Sequence, residues 1–252
     1  MKAPDQILAT WRKFDDFPME TLTKLWFFHQ STQQKQRSVA LMKEHRETYG
    51  ITGNCFDLAL WLLDEFKQDG IEAYPIGSNL DSSHVHVAVI ALDIYGNRFL
   101  CDLGDQWLEP ILIEPSHPGF IKEPHSGFFP AADVQITTDD LSIEVNYHRP
   151  NGKKSQQFYE TKPIEIDYFL KVAEGSQQNI HPIPLLECRI PYKNEMAHWE
   201  FDDWKSVLST TSGLINDPPI NTIDEWVARI GSKTRYKEEF LREVLLLYQA
   251  LR

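Results

Sequence analysis

Gly53-Asn54-Cys55-Phe56-Asp57 is a helix start that carries a nucleophile. Asn54 is a favoured N-cap, and the Asp57 carboxylate is placed to reach back to the cap amide in a variant of the capping box. A helix therefore begins at Cys55. Ala59, Leu62, Leu63 and Phe66 follow on one face, and Gly70 supplies the C-terminal stop. A cysteine in the first turn faces about half a positive charge from the unpaired N–H groups, which favours the reactive thiolate.

Downstream the pattern changes to a strand period. His84, His86, Ala88, Ile90 and Leu92 alternate with Val85, Val87, Val89 and Ala91, as in a strand buried on both faces. Asp93-Ile94-Tyr95-Gly96-Asn97 reads as a turn, and Phe99-Leu100-Cys101-Asp102-Leu103 as the returning strand. Imidazoles and a carboxylate on an apolar hairpin need partners, so one of the two histidines is expected to be a base and Asp102 its orienter. With the turn near Tyr95-Gly96, the residues opposite Asp102 lie near position 89, which puts His86 closer than His84. His84-x-His86 is also the spacing of two metal ligands, but no third ligand stands at a characteristic distance in sequence, and no metal is expected.

Around this centre the chain divides into three. Residues 1–70 read as helical, with apolar faces begun by Ile7, Leu8 and Trp11, by Leu22, Leu25, Trp26 and Phe27, and by Val39 to Arg46. Residues 71–162 read as β. Leu141, Ile143, Val145 and Tyr147 alternate with polar residues, and Asn151-Gly152 turns into Gln156 to Tyr159, which predicts a small barrel or curled sheet. Within it, Pro115 to Pro130 reads as a long loop, either a lid or a solvated connector. Residues 163–252 read as mixed α/β. Thr222-Ile223-Asp224-Glu225 is a capping box, and Tyr236, Phe240, Leu241, Val244, Leu245 and Tyr248 make a terminal helix face expected to pack on the barrel. The fold class is α+β.

Composition excludes several classes. The 252 residues, 42% hydrophobic and 12% aromatic, suffice for a sizeable core, and a formal net charge of −12 without a basic patch argues against nucleic acid or an anionic membrane as partner. Three cysteines make neither a disulfide framework nor a CxxC site. Met1 to Phe17 lacks the apolar core of a secretory leader, and no apolar run approaches a membrane span, so the cytoplasm is the expected address. Cys101 and Cys188 are expected to be small buried side chains, and Trp199, Phe201 and Trp204 to pack beneath an acidic surface. His117, His125, His148, His181 and His198 are read as surface or loop residues.

The segments Gly53-Asn54-Cys55-Phe56-Asp57, Gly70-Ile71-Glu72-Ala73, His86-Val87-Ala88-Val89, Cys101-Asp102-Leu103-Gly104 and Pro110-Ile111 resemble the catalytic core of arylamine N-acetyltransferases. That core is shared more loosely with transglutaminase-like cysteine enzymes. The resemblance implies a cysteine-proteinase-like fold with an N-terminal helical bundle carrying the nucleophile, a central antiparallel barrel or sheet and a C-terminal mixed lid. It implies Cys55 as nucleophile, His86 as base and Asp102 as orienter. His84, at the rim by the hairpin register, and Gly104 and Asp105 are expected near substrate. The chain departs from the family in having Ile51 where an arginine buttresses the site, Thr52 for the first glycine of the motif, and Asp105-Gln106 where Phe-Gly lies near the acyl donor.

The implied chemistry is ping-pong acyl transfer. Cys55 takes an acetyl or other acyl group from an acyl-coenzyme A, backbone N–H groups including that of Phe56 hold the oxyanion, and an arylamine- or hydrazine-like amine discharges the thioester. The partners are small molecules, with acetyl-CoA or another acyl-CoA as co-substrate and no permanently bound cofactor. A transglutaminase-like hydrolase or amide-forming enzyme is the second reading, and a non-catalytic binding relative the third.

Overall fold

A computed structural model describes the protein at every residue except Ser83, His84, Asp140 and Asn151. The expected roles of His84 and of the Asn151-Gly152 turn therefore lie outside the described residues. Helices α1 (Asp5–Trp11), α2 (Leu22–Phe28), α3 (Val39–Tyr49) and α4 (Cys55–Gln68) precede the main β region, with the short strand β1 (Met19–Glu20) before α2.

Helix α4 starts as its sequence dictates. Asn54 accepts from the amides of Phe56 and Asp57, and the Asp57 carboxylate returns to the Asn54 amide. Gly70 ends the turn with φ 72°, and Ile71 N donates to Phe66 O at 2.8 Å, a left-handed cap that a β-carbon would disfavour. The apolar face is wider than the expected stripe. Leu58, Leu60 and Trp61 are buried along with Ala59, Leu62 and Phe66, because α4 is enclosed by α1 and α3 as well as by the sheet. Each fully buried Leu or Phe of this kind stabilises by about 1.5–3 kcal/mol.

The main sheet is antiparallel and eight-stranded, built from β2 (Ala73–Ser78), β3 (His86–Leu92), β4 (Arg98–Cys101), β5 (Ile111–Leu112), β6 (His125–Phe129), β7 (Ala132–Thr138), β8 (Ser142–His148) and β9 (Lys154–Glu160). Its order is β5-β4-β3-β2-β9-β8-β7-β6, so the β3–β4 hairpin and the β8–β9 hairpin are joined through β2. The expected long loop is shorter than its sequence implied. Its second half pairs with β7 as β6, with Phe128 and Phe129 buried.

After α5 (Ile166–Gln178), a second sheet of order β1-β10-β11-β12-β13 follows, made with β10 (Leu185–Tyr192), β11 (Glu195–Asp202), β12 (Lys205–Thr210) and β13 (Gly213–Asn216), then α6 (Ile223–Thr234) and α7 (Glu238–Ala250). The capping box of Thr222 and Glu225 opens α6. Helix α7 does not pack on the large sheet as expected. Its Phe240, Leu241, Val244 and Leu245 join a separate apolar cluster with Trp26 of α2, Trp226 of α6 and Trp199 and Phe201 of β11, because these elements supply the aromatic surface that complements it. Of the histidines read as surface or loop residues, His125 and His148 stand in strands, and His198 is buried on β11.

The two sheets meet at the start of α4. The Glu20 amide of β1 donates to Gly53 O at 2.9 Å, and Arg189 of β10 donates to the carbonyl oxygens of Trp107, at 2.6 Å, and Phe14. No helix among the described residues is long and apolar enough to cross a membrane.

Candidate active site

The hairpin register carries His86 and Asp102 to one end of the sheet. Val89 pairs with Cys101, so Asp102 leaves one residue beyond β4 and not on the strand itself, while His86 is the first residue of β3. His86 Nε2 stands 2.9 Å from Asp102 Oδ2, with the His86 side chain 19% exposed and that of Asp102 fully buried. Cys55 lies close to the ring, since a β-carbon on Gly104 would stand 2.8 Å from both Cys55 Cβ and His86 Cε1. Nε2 is taken by Asp102, which leaves Nδ1 for the thiol.

Burial by itself would lower the His86 pKa. The Asp102 charge and hydrogen bond, the contact with Cys55 and the charge of Asp105 outweigh it and hold the imidazole well above its ordinary value. Cys101 and Cys188 have the opposite character. Both are buried as expected, and burial drives the Cys101 thiol far up and the Cys188 thiol to about 12. Cys55 is partly exposed.

Two tyrosines complete the constellation and were not foreseen. Tyr159 of β9 donates to Asp102 Oδ2, and Tyr147 of β8 donates to Asp105 Oδ2. The Asp105 amide donates to Asp102 Oδ1 at 3.0 Å. The β8 alternation already turned Tyr147 inward with Ile143 and Val145, and a buried phenol needs a polar partner. That was the available signal. His86, Asp102 and Asp105 bring possible ligand atoms within 4.8 Å of one another, and these hydrogen bonds account for the grouping.

Gly104 explains the close packing. A β-carbon there would lie 2.8 Å from Cys55 Cβ, 2.8 Å from His86 Cε1 and 3.2 Å from Asp102 Oδ1. Gly104→Ala is therefore expected to push thiol and imidazole apart and to slow Cys55 alkylation near neutral pH by at least about tenfold, since a small misplacement of reacting groups is costly. An alkylation rate equal to wild type would show that the backbone yields without moving the pair.

The start of α4 is braced from behind. Ile51 is buried and apolar, and the cation behind the helix start is Arg37, in the segment before α3. Arg37 Nη2 lies 3.0 Å from Asp57 Oδ2, both side chains being 2% exposed, and also donates to Thr52 O. Gln36 Nε2 donates to Asp57 Oδ1 at 2.9 Å, and Asn54 Nδ2 donates to Gln177 Oε1 of α5 at 3.1 Å. Gly53, with φ 151°, leaves room for this pair, because a β-carbon there would overlap Asp57 and the Arg37 guanidinium. The Phe56 amide, expected as an oxyanion donor, is committed to Asn54 Oδ1 at 3.0 Å as part of the cap.

Cys55, His86, Gly104 and Asp105 open onto a cleft of about 730 Å³, whose wall also includes Lys24 and Lys171. Burial lowers the Lys24 pKa, with the charges of Cys55 and Asp57 opposing.

No protein-family model and no curated protein matches the sequence. Solved structures do match in fold. The arylamine N-acetyltransferase of Salmonella typhimurium superposes with a TM-score of 0.70 at 9% identity, over 94% of this chain and 89% of that one. The Mycobacterium marinum enzyme in complex with CoA gives 0.68 at 10% identity, over 97% and 94%. The Nocardia farcinica enzyme gives 0.70 at 12% identity, over 96% and 89%. With seven helices and two antiparallel sheets among its described residues, arranged over nearly the whole chain as in these enzymes, the protein has the arylamine N-acetyltransferase fold.

Proposed function

We propose that the chain is an acyltransferase that moves an acyl group from an acyl-coenzyme A to an amine through a thioester on Cys55. One observation carries this reading. Cys55 at a capped helix start adjoins His86, whose far nitrogen is held by fully buried Asp102, and Cys55 and His86 open on a substrate-sized cleft.

In the first half-reaction the Cys55 thiolate attacks the donor carbonyl, and His86 gives its proton to the departing thiol. Asp102 fixes the imidazole so that Nδ1 faces sulfur. With the Phe56 amide held by the cap, the Cys55 N–H at the helix start is the donor for the oxyanion, as a nucleophile's own amide is in serine triads. Lys24 and Lys171 supply local positive charge for an anionic donor. In the second half-reaction an amine attacks the thioester and His86 accepts its proton.

Incubated with acetyl-coenzyme A and no amine, the intact protein is expected to gain the mass of one acetyl group on Cys55, and an added amine to remove it. Cys55→Ala is expected to take no label. Failure of every thioester donor to label Cys55, although the thiol alkylates faster than Cys101 and Cys188, would overturn the reading in favour of a transglutaminase-like enzyme acting on amides.

A further inference from the structure

The catalytic cleft does not end at the triad. Asp105 and Glu187 of β10 also line it, and the same two carboxylates line a second cavity of about 450 Å³ that extends to Tyr147, Arg149, His198 and Glu200. Asp105 comes from the turn after Asp102 and Glu187 from the other sheet, so the two sheets together place acidic groups beside the nucleophile. The side-chain partner of Asp105 is the neutral Tyr147 hydroxyl, and Glu187 lies 3.4 Å from His198 Nε2.

The charge balance changes during the reaction of the preceding section, on which this inference rests. Once Cys55 is a neutral thioester and His86 has lost its proton to the departing thiol, Asp102 and Asp105 remain as carboxylates beside the acyl group without a cation between them. Such a pair strongly favours an incoming positive charge. A possible ligand atom of Asp105 lies within 4.8 Å of one of His86, so an ammonium bound to Asp105 is already beside the base and the thioester.

We propose that Asp105, assisted by Glu187, selects an acceptor amine that is cationic at neutral pH, an alkylammonium in place of a neutral arylamine. The ammonium first gives one proton to Asp105. Its freed lone pair then attacks the thioester carbonyl carbon, the C–N bond forms, and the C–S bond breaks with its electron pair returning to Cys55 Sγ. A second amine proton passes to His86, which restores the thiolate–imidazolium pair, and Asp105 releases its proton to solvent through the cleft. One proton remains on the amide product. Before acylation, burial first and then the Asp102 charge raise the Asp105 carboxyl to about 6, against the opposing pull of His86 and Tyr147; the incoming ammonium takes the place of the charge that His86 loses on acylation, and Asp105 is able to take a proton from it.

Benzylamine and aniline make a matched test, since both carry one phenyl ring and only the first is cationic at neutral pH. Acetylated enzyme prepared with acetyl-coenzyme A is expected to be discharged by benzylamine at lower concentration than by aniline. Asp105→Asn, which keeps an acceptor for Tyr147, and Glu187→Gln are each expected to lower the kcat/KM preference for benzylamine over aniline by about tenfold or more, because a charge-assisted contact is lost only for the cation. The wild-type KM for benzylamine should fall as pH rises through the Asp105 pKa, which lies above about 6 once the His86 charge is lost, a dependence absent in Asp105→Asn. A preference of the wild type for aniline, or equal effects of the substitutions on both acceptors, overturns the acceptor assignment alone. Absence of acetyl label on Cys55 overturns it together with the acyl-transfer reading.

Discussion

Asp102→Asn is expected to fold normally and to lower turnover by about ten-thousand-fold, the effect of the same substitution in serine triads. The carboxylate is fully buried and accepts three hydrogen bonds, from His86 Nε2 at 2.9 Å, from the Tyr159 hydroxyl and from the Asp105 amide at 3.0 Å. An amide has one acceptor oxygen, so its NH2 must face one of these donors. If it faces His86, the ring is driven to the tautomer that cannot take a proton from Cys55 at Nδ1. If it faces the Asp105 amide, His86 keeps its partner but loses the negative charge that holds its pKa up against burial. Both outcomes deplete the thiolate–imidazolium pair. The readouts are the rate of Cys55 acetylation and its pH profile, with circular dichroism to verify the fold. A variant within tenfold of wild type would remove Asp102 from the triad and leave Tyr159 and Asp105 to be tested in its place.

Arg37→Leu is expected to cost about 3–5 kcal/mol, because it leaves the Asp57 carboxylate buried without its cation. For a chain of this size the melting temperature should fall by roughly 10 °C. Gln36 and the Asn54 amide still donate to Asp57, but neither neutralises it. In the wild type His45 adds no charge here, because burial first, and then Arg37, depress its pKa to about 4. The double variant with Asp57→Asn should recover part of the loss, since no charge is then stranded and the cap oxygen is kept. Thermal unfolding of both variants measures this, and a melting temperature of Arg37→Leu within about 2 °C of wild type would show that water reaches Asp57 and that the brace is dispensable.

The parts of this protein legible from its residues alone are those whose cause is local. Asn54, Asp57 and Gly70 bound helix α4 because caps depend on neighbouring backbone amides and carbonyls, and Cys55 follows the cap by construction. The alternation from His86 to Leu92 and the Asp93–Asn97 turn set the hairpin register, which brings His86 within hydrogen-bond reach of Asp102. What only the tertiary structure decided depends on residues far apart in sequence. Arg37 stands in a polar segment with no periodic signal, yet it supplies the cation that Ile51 does not, because the packing of α3 against α4 brings it to Asp57. Tyr159 and Tyr147 reach the two carboxylates only after β8 and β9 join the hairpin through β2. Glu187 joins the cleft because a second sheet, anchored by β1 and Arg189, closes over it. Helix α7 turned away from the barrel for the same kind of reason: its apolar face was readable, but the surface that covers it was settled by which aromatic side chains α2, α6 and β11 presented in space.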